Sequence, residues 1–332
     1  MKVSDRPLHV HLLDTSVASD NVGDEIIMDS VLRHGSSIWQ DAWLTSSSSH
    51  DGMGRLGRRH VASSDLVFLC GTNALSHRNM IRRKPIWSVA KQDVAPLKGK
   101  VVLFGVGWNK YSATVERSQA RILRQLLSDK FLHSVRDAYT AHMLASIGIT
   151  NTVVTGCPTL WSLGESSWPS LGADSPSVIL SLTHHKPHEL DHWLIKLAKR
   201  TFDSVFFWPQ QIEDLEYLRS IGKDDVASFN VVSPTLKRFA ELLATGHVSS
   251  VGTRLHAGIF ALQHRVPTCI VAIDNRATEM HRDFNIPIVE RSKLNNDLSI
   301  IETLNRSGRI TISMDRIERF LNQFGRMREA DS

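Results

Sequence analysis

The segment 250–257, SVGTRLHA, places an arginine and a histidine two positions apart where an apolar strand passes into a helix. Gly252 permits a tight backbone turn. Arg254 and His256 then fall in the first helical turn, where free N–H groups and the positive end of the helix dipole also lie. A guanidinium can bind a carboxylate or phosphate through two parallel hydrogen bonds, and an imidazole can transfer protons near neutral pH. The pattern predicts an anion site about as strongly as it predicts an ordinary helix start.

A second polar turn, Asn21-Val22-Gly23-Asp24-Glu25, stands between a predicted strand and a predicted helix. An acidic first turn argues against phosphate binding and is more compatible with hydrogen bonds to sugar hydroxyls. The simpler interpretation, that Asn21 or Asp24 caps the helix, is favoured when the turn is taken alone.

Glycines and one arginine follow two further apolar strands. Gly105 and Gly107 stand at the end of one strand, where the lack of side chains would let a ligand approach the backbone closely in any cleft. Arg136, followed by Asp137, comes after another strand, and this pair fits a structural ion pair as well as a ligand contact. No G-x-G-x-x-G or Walker sequence occurs, and no His/Cys cluster has zinc-ligand spacing, so we expect no dinucleotide fingerprint and no metal.

The elements that must position these residues alternate between short apolar runs and amphipathic stretches, which is typical of an α/β fold with parallel sheets. Residues 164–177, rich in Gly, Ser and Pro, are the best linker candidate, and residues 46–59 are expected to form a mobile loop. The predicted strands are 9–13, 65–70, 100–106, 133–135, 152–155, 177–182, 204–208, 248–251 and 268–273. The predicted helices are 24–32, 115–127, 138–147, 190–201, 235–244, 254–262 and 314–324.

Composition narrows the class of protein. A chain of 332 residues with 42% hydrophobic residues favours two globular domains, and a net charge of +5 is too weak to indicate nucleic-acid binding. Three cysteines without a C-x-x-C pair predict reduced, buried thiols. The first residues lack a signal-peptide pattern, and no apolar run is long enough to span a bilayer. We therefore expect a cytoplasmic protein, peripheral at most to the inner face of the membrane.

The chain resembles the polysaccharide pyruvyl transferase family over residues 10–290, most specifically in the RLHA…FAL…VP part of its last matching segment. This resemblance implies a GT-B-like fold, in which two Rossmann-like domains with parallel sheets face a cleft. It divides the chain into 1–165 on the acceptor side, 176–312 on the donor side and a closing helix at 313–332. The segments that carry it are NVGDEIIMDS, DLVFLCG, SVRDAYTAHMLASIGI, VTGCPTLW and SVGTRLHAGIFALQHRVPTCIVAIDNRATEM.

The resemblance also implies an activity. A pyruvyl group passes from phosphoenolpyruvate, a co-substrate, to two hydroxyls of a sugar in a surface polysaccharide or its lipid-linked precursor. A cyclic ketal forms, phosphate leaves, and no cofactor is implied. Arg254 is then expected to hold the donor carboxylate or phosphate, and His256 to assist proton transfer. His184 or His185, which follow the predicted strand 177–182, are expected to be the partner or substitute of His256, unless they belong to an ordinary polar loop. The other implied donor contacts are Gly252, Thr253, Gln210, Asp214 and Arg136.

On the acceptor side, Asn21, Gly23 and Asp24 are expected to lie near 105–109. Trp108 and Tyr111 either stack on a sugar ring or belong to the core. A basic stretch is expected to contact a lipid-linked diphosphate or the membrane, unless it is a solvated loop. A nucleotide-sugar glycosyltransferase and a non-catalytic carbohydrate-binding protein remain alternatives. The acceptor contacts are Asn21, Gly23, Asp24, Gly107, Trp108 and Asn109, and the basic stretch is Arg78, Arg82, Arg83 and Lys84 with Trp87.

Overall fold

The chain divides into two compact units in a computed structural model that describes residues 6–83, 86–164, 166–172, 176–221, 229–294 and 298–325. Unit 1 comprises Met1–Ser19, Ile27–Trp161 and Ile312–Ser332. Unit 2 comprises Asp20–Ile26 and Ser162–Thr311.

The strands of the N-terminal half of the chain are β1 His9–Asp14, β2 Trp43–Ser48, β3 Leu66–Cys70, β4 Val101–Phe104, β5 His133–Val135 and β6 Thr152–Val154. The helices of this half are α1 Val22–His34, α2 Ser36–Trp39, α3 Arg55–Ser63, α4 Met80–Arg83, α5 Val94–Leu97, α6 Arg117–Leu126, α7 Ala138–Ala145 and α8 Pro158–Trp161, with a 3₁₀ turn at Lys91–Asp93. Unit 1 is built on a four-stranded parallel sheet in the order β2-β1-β3-β4, beside a parallel pair, β5-β6. The β3 sequence LVFLC is buried throughout, which explains its continuous apolar run.

The strands of unit 2 are β7 Ser167–Trp168, β8 Ser177–Ser181, β9 Ser204–Phe207, β10 Asn230–Val231, β11 Val248–Gly252, β12 Thr268–Ala272, β13 Ile288–Glu290 and β14 Gly308–Arg309. Its helices are α9 Glu189–Thr201, α10 Ile212–Ile221, α11 Leu236–Leu243, α12 Leu255–Gln263, α13 Asn275–Phe284 and α14 Leu298–Asn305, with a 3₁₀ turn at Arg291–Lys293. The last helix, α15 Met314–Asn322, belongs to unit 1. Six of the strands form a parallel sheet in the order β10-β9-β8-β11-β12-β13. Four neighbouring strands, β9, β8, β11 and β12, end at the same edge, so the residues that follow them meet there.

Two segments cluster with the unit that is distant from them in sequence. Val22 and Ile26, at the start of α1, pack in the core of unit 2 with Trp208. The C-terminal Phe320 packs in unit 1 against Phe104, with ring centroids 5.1 Å apart. Both segments present large apolar side chains, which explains why each is held by a core rather than left at the surface.

The expected α/β class with parallel sheets is confirmed, but the mobile loop expected at 46–59 is wrong. Residues 46–48 belong to β2, which pairs with β1 along its full length. The following polar stretch contains α3, whose Val61 is buried. Both elements are largely exposed and rich in Ser or Arg, so the sequence carries little apolar periodicity there.

The linker candidate 164–177 contains a short antiparallel pairing rather than only irregular chain. Trp168 in β7 lies opposite Gly308 in β14, and the indole Nε1 donates to the carbonyl of Arg306 at 3.0 Å. Residues 165 and 173–175 of this stretch lie outside the described residues. The three cysteines are buried thiols that take part in no disulfide, as expected.

Two kinds of feature are absent from the described part of the chain. None of its helices is long and apolar enough to cross a membrane. Over the same residues, no group of three or more His, Cys, Asp or Glu side chains is placed to hold a metal ion.

Candidate functional site

Polar side chains from three separate turns meet at one edge of the unit 2 sheet. His184 follows β8, Asp214 lies in the first turn of α10 after β9, and Arg254 follows β11. Because β9, β8 and β11 are consecutive neighbours in a parallel sheet, their carboxyl ends lie side by side. Ligands bind at this edge in open parallel α/β sheets.

Asp214 is the centre of the cluster and is completely buried. Its Oδ2 accepts the backbone N–H groups of Gln210 and Gln211, both at 3.1 Å, as a carboxylate in the first turn of a helix commonly does. Its Oδ1 accepts the backbone N–H of His184 at 3.1 Å. The carboxylate therefore ties the turn before α10 to the turn after β8.

Arg254 forms a bidentate ion pair with the carboxylate of Asp214. Its Nε donates to Oδ2 of Asp214 at 2.9 Å, and its Nη2 donates to Oδ1 of Asp214 and, at 2.9 Å, to Oε1 of Gln211. Burial lowers the pKa of the Arg254 guanidinium, although the contact with Asp214 opposes that effect. The Nη1 edge makes no hydrogen bond to any described residue, so it is the edge left for a ligand.

His184 and His185 lie beside this ion pair with their ring centroids 3.9 Å apart. Nδ1 of His184 is 3.0 Å from Oδ1 of Asp214, and the side chain is 24% exposed. Nε2 of His185 is 2.9 Å from Oε1 of Gln211. Burial, followed by the nearby His184 and Arg254, lowers the pKa of His185. The two imidazoles are thus oriented by two different side chains of the same turn.

The turn at Gly252 and Thr253 brings Arg254 to the sheet edge. The N–H of Thr253 donates to the carbonyl of Ser181 at 2.8 Å, and its Oγ1 accepts the N–H of Thr183 at 2.9 Å. A Cβ on Gly252 would collide with the carbonyl oxygen of Ser181. These residues shape the turn through contacts with the β8 end of the site.

His256 occupies the second position of α12 and is 8% exposed. It lies in a helix whose residues from Leu255 to Leu262 are all buried. The first turn of the helix contains no acidic residue, and its first N–H groups, which have no acceptor within the helix, lie at the end that follows Arg254.

Asn21 and Gly23, expected on the acceptor side with the N-terminal strands, cluster instead with unit 2. Nε2 of Gln210 donates to Oδ1 of Asn21 at 2.6 Å, and the carbonyl of Gln210 accepts the N–H of Val22 at 3.0 Å. A Cβ on Gly23 would collide with the side chain of Gln210. The first turn of α1 therefore adjoins the donor-side residue Gln210, which is itself buried.

Three charged residues, Asp24, Asp274 and Arg276, add to the electrostatics of this edge. Asp24, buried in the first turn of α1, attracts both Arg254 and Arg276. Arg276 follows β12 and pairs with Asp274, with Nη2 2.7 Å from Oδ2. Burial opposes ionisation of Asp274, but Arg276 outweighs it and lowers the carboxyl pKa to about 2. Sequence reasoning did not select Arg276, although an Asp-x-Arg after an apolar strand was the available signal.

Arg136, expected to reach the donor, lies in unit 1 and is held by partners within that unit. Its Nε donates to Asp137 at 2.8 Å, its Nη1 to Oδ1 of Asn73, and its Nη2 to the carbonyl of Trp108 at 3.4 Å. A Cβ on Gly107 would collide with this guanidinium. The structural interpretation of the Arg-Asp pair is therefore favoured, since every nitrogen of the buried side chain has a protein acceptor.

The aromatic candidates near Gly107 separate into a core residue and an exposed one. Trp108 is 0% exposed and belongs to the core of unit 1, so the core interpretation is favoured over stacking on a sugar. The backbone N–H of Asn109 donates to the carbonyl of Leu75 at 2.8 Å. Tyr111 is 55% exposed and packs edge-on against Tyr139.

The basic stretch lies at and around α4. Arg78 and Arg82 are exposed, while Trp87 is buried in the core of unit 1. The side chain of Arg83 and the whole of Lys84 lie outside the described residues. The expected contact with a lipid-linked diphosphate or a membrane stays a prediction.

Comparison with known proteins gives one family and several structural neighbours. A family model described as polysaccharide pyruvyl transferase matches residues 21–275. No curated protein matches the chain significantly.

Among solved structures, the chain is similar to Methanocaldococcus jannaschii UDP-GlcNAc 2-epimerase in complex with UDP-GlcNAc and UDP, with a TM-score of 0.56 and 12% identity over 97% of this chain and 100% of that one. It is also similar to S. aureus MnaA with UDP, with a TM-score of 0.56 and 11% identity over 97% of each chain. These neighbours confirm the expected GT-B-like fold and, at this identity, nothing beyond the fold.

Proposed function

The chain belongs to the polysaccharide pyruvyl transferase family, and we propose that it transfers the pyruvyl group of phosphoenolpyruvate to two hydroxyls of a sugar, forming a cyclic ketal. The proposed acceptor is a surface polysaccharide of bacterial type or its lipid-linked precursor. The observation that carries the proposal is Arg254, which is buried at a sheet edge with Nε and Nη2 bound by Asp214 and Gln211 and with Nη1 left open.

The donor is a small trianion, so its site must supply positive charge and N–H groups. Arg254 supplies a fixed guanidinium at the N-terminus of α12. Fixed donors of this kind stabilise developing charge because they need no reorganisation during the reaction. In the proposal, Nη1 of Arg254 and the first-turn N–H groups of α12 hold the carboxylate or phosphate.

The chemistry requires one proton at C3 of the enol and removal of the protons of both hydroxyls. Protonation at C3 makes C2 electrophilic. One sugar oxygen bonds to C2, the C2–O bond to phosphate then breaks, and the second oxygen bonds to C2. His256, in the first turn of α12, is the proposed acid at C3.

The acceptor is assigned to the turn that begins α1. Asn21 and Asp24 adjoin Gln210 and Arg254, which supports binding of the sugar hydroxyls next to the donor. Attachment of the acceptor to a lipid carrier would place the protein at the inner face of the cytoplasmic membrane. The exposed Arg78 and Arg82 support such a contact with anionic headgroups.

Phosphate release from phosphoenolpyruvate, measured with a panel of saccharide acceptors, tests the proposal, with mass spectrometry of the ketal product. We expect acceptor-dependent release that Arg254→Lys reduces by at least about 100-fold, since lysine lacks the planar fork. Arg219→Ala, at an exposed position of α10, is the matched control. Circular dichroism verifies folding of each variant.

Two results would overturn the proposal. One is the absence of phosphate release with every acceptor while a nucleotide sugar is turned over, which would assign a glycosyltransferase. The other is saccharide binding without any turnover, which would assign a carbohydrate-binding protein.

A further inference from the structure

We propose that Asp214 does not bind the donor but positions two groups at once, and that it thereby makes Nε2 of His184 the base that receives a proton from the sugar hydroxyl. This inference rests on the proposed pyruvyl transfer, and it replaces the donor-binding role expected for Asp214. Its basis is the set of hydrogen bonds around one buried carboxylate.

The hydrogen-bonding capacity of Asp214 is filled by the protein. Oδ1 accepts from the backbone N–H of His184, from Nδ1 of His184 and from Nη2 of Arg254. Oδ2 accepts from the N–H groups of Gln210 and Gln211 and from Nε of Arg254. An ionised carboxylate offers roughly four lone-pair sites, so six donors leave none for a substrate.

The same contacts fix the tautomer of His184. An ionised carboxylate only accepts hydrogen bonds, so the 3.0 Å contact with Asp214 requires the hydrogen on Nδ1 of the neutral imidazole. Nε2 then carries the lone pair. This atom makes no hydrogen bond to any described residue, and the side chain is 24% exposed. His184 therefore presents a free proton acceptor.

The neighbouring His185 is less suited to this task. Its Nε2 lies 2.9 Å from Oε1 of Gln211, a carbonyl oxygen that only accepts, so Nε2 carries the hydrogen and is committed to the protein. Gln211 Oε1 also accepts from Arg254, which ties His185 to the guanidinium rather than to Asp214. The two adjacent histidines thus differ in which ring nitrogen is left available.

In the proposed reaction, every proton moves between a histidine and a reactant. His256 gives its proton to C3, and Nε2 of His184 takes the proton of the first hydroxyl as its oxygen bonds to C2. The His184 imidazolium gives that proton to the departing phosphate. The second hydroxyl bonds to C2 and returns its proton to His256. In the net reaction the two hydroxyls lose two protons, C3 gains one proton, and the departing phosphate gains the other.

Steady-state kinetics of His184→Gln and Asp214→Asn distinguish a base from a group that positions it. We expect His184→Gln to lower kcat by about 10²–10⁴-fold, the usual contribution of a general base, with KM for phosphoenolpyruvate within about twofold. Asp214→Asn is expected to lower kcat and also raise that KM, because Arg254 loses its carboxylate. His142→Gln and Asp203→Asn, at exposed positions, are matched controls. Added imidazole is expected to restore part of the rate of His184→Ala.

Nuclear magnetic resonance of ¹⁵N-histidine-labelled protein tests the tautomer without any substrate. We expect the hydrogen of His184 on Nδ1 in the parent and a mixture of tautomers in Asp214→Asn. An Nε2–H tautomer in the parent, or an unchanged tautomer in Asp214→Asn, would overturn the positioning role. If the parent is active and His184→Gln leaves kcat unchanged, the role of His184 as the base is overturned, but the positioning role of Asp214 is not. An inactive parent would count against the proposed function, while the spectra would still decide the role of Asp214.

Discussion

At the scale of single residues, the turn between β11 and α12 depends on the absence of a side chain at Gly252. This residue pairs with Ser181 in the register of β11 and β8, and a Cβ there would meet the carbonyl oxygen and the amide nitrogen of Ser181 as well as its Oγ. Backbone atoms in the middle of a sheet cannot move aside cheaply. The position of Arg254, two residues later, therefore depends on this glycine.

Gly252→Ala is expected to destabilise the protein by about 1–3 kcal/mol, the usual cost of inserting atoms into a well-packed site. Urea unfolding measures the change. Gly54→Ala is the control, since a Cβ at Gly54 meets no atom within 4 Å. Equal stability of Gly252→Ala and the parent would show that β8 and β11 separate more easily than their register indicates.

At the scale of elements, two helix caps differ in their contacts, because one of them also pairs with a buried charge. Asp137 precedes α7, and its Oδ1 accepts the N–H of Thr140 at 2.7 Å while its Oδ2 accepts from Nε of Arg136. Ser313 precedes α15, and its Oγ accepts the N–H of Arg316 at 3.4 Å. Removal of the Asp137 carboxylate would therefore leave the Arg136 guanidinium without its anion, whereas removal of the Ser313 hydroxyl would leave a backbone N–H without this acceptor.

Asp137→Ala is expected to cost about 3–5 kcal/mol of folding free energy, because it leaves the Arg136 charge buried with no anion. Ser313→Ala, which removes a cap alone, should cost about 0.5–1 kcal/mol. Thermal or urea unfolding of both variants compares them directly. If the two losses were the same, Arg136 would have to reach solvent in the variant.

At the scale of the whole molecule, burial favours the neutral form of several histidines. His133 is the best defined, since Nδ1 accepts the N–H of Leu103 at 3.2 Å and Nε2 is 2.9 Å from the carbonyl of Ser128. This arrangement suits the neutral ring and leaves no place for a second proton. Burial lowers the pKa of His133 to about 4, and burial likewise lowers the pKa of His11 and His34 to about 4.

Stability is expected to fall as pH decreases from about 6.5 to about 4. In this range the unfolded chain binds protons at these histidines and the folded chain does not, so acid favours unfolding, whereas above 6.5 the effect vanishes. Each such histidine contributes up to about 3 kcal/mol. Urea unfolding at a series of pH values measures the slope, and His133→Gln should reduce it. A flat profile in this range would mean that the rings are protonated within the fold.

The sequence predicted most elements because their signals are local. Continuous apolar runs such as 66–70 and 268–272 mark buried parallel strands, and polar residues before apolar periodicity mark helix starts. The stretch 46–59 was misassigned because β2 and α3 expose most of their side chains and lack that periodicity.

Neighbours along the chain are sufficient to predict the α/β class and the arginine–histidine turn at 254–256. Only the fold brings Asp214 into contact with residues 30 and 40 positions away, and Asn21 into contact with Gln210 across 189 positions. The fold likewise places the partners of Arg136 within unit 1. These contacts are not readable from the sequence because spacing sets which residues follow a strand, whereas the order of strands in the sheet sets which strand ends become neighbours.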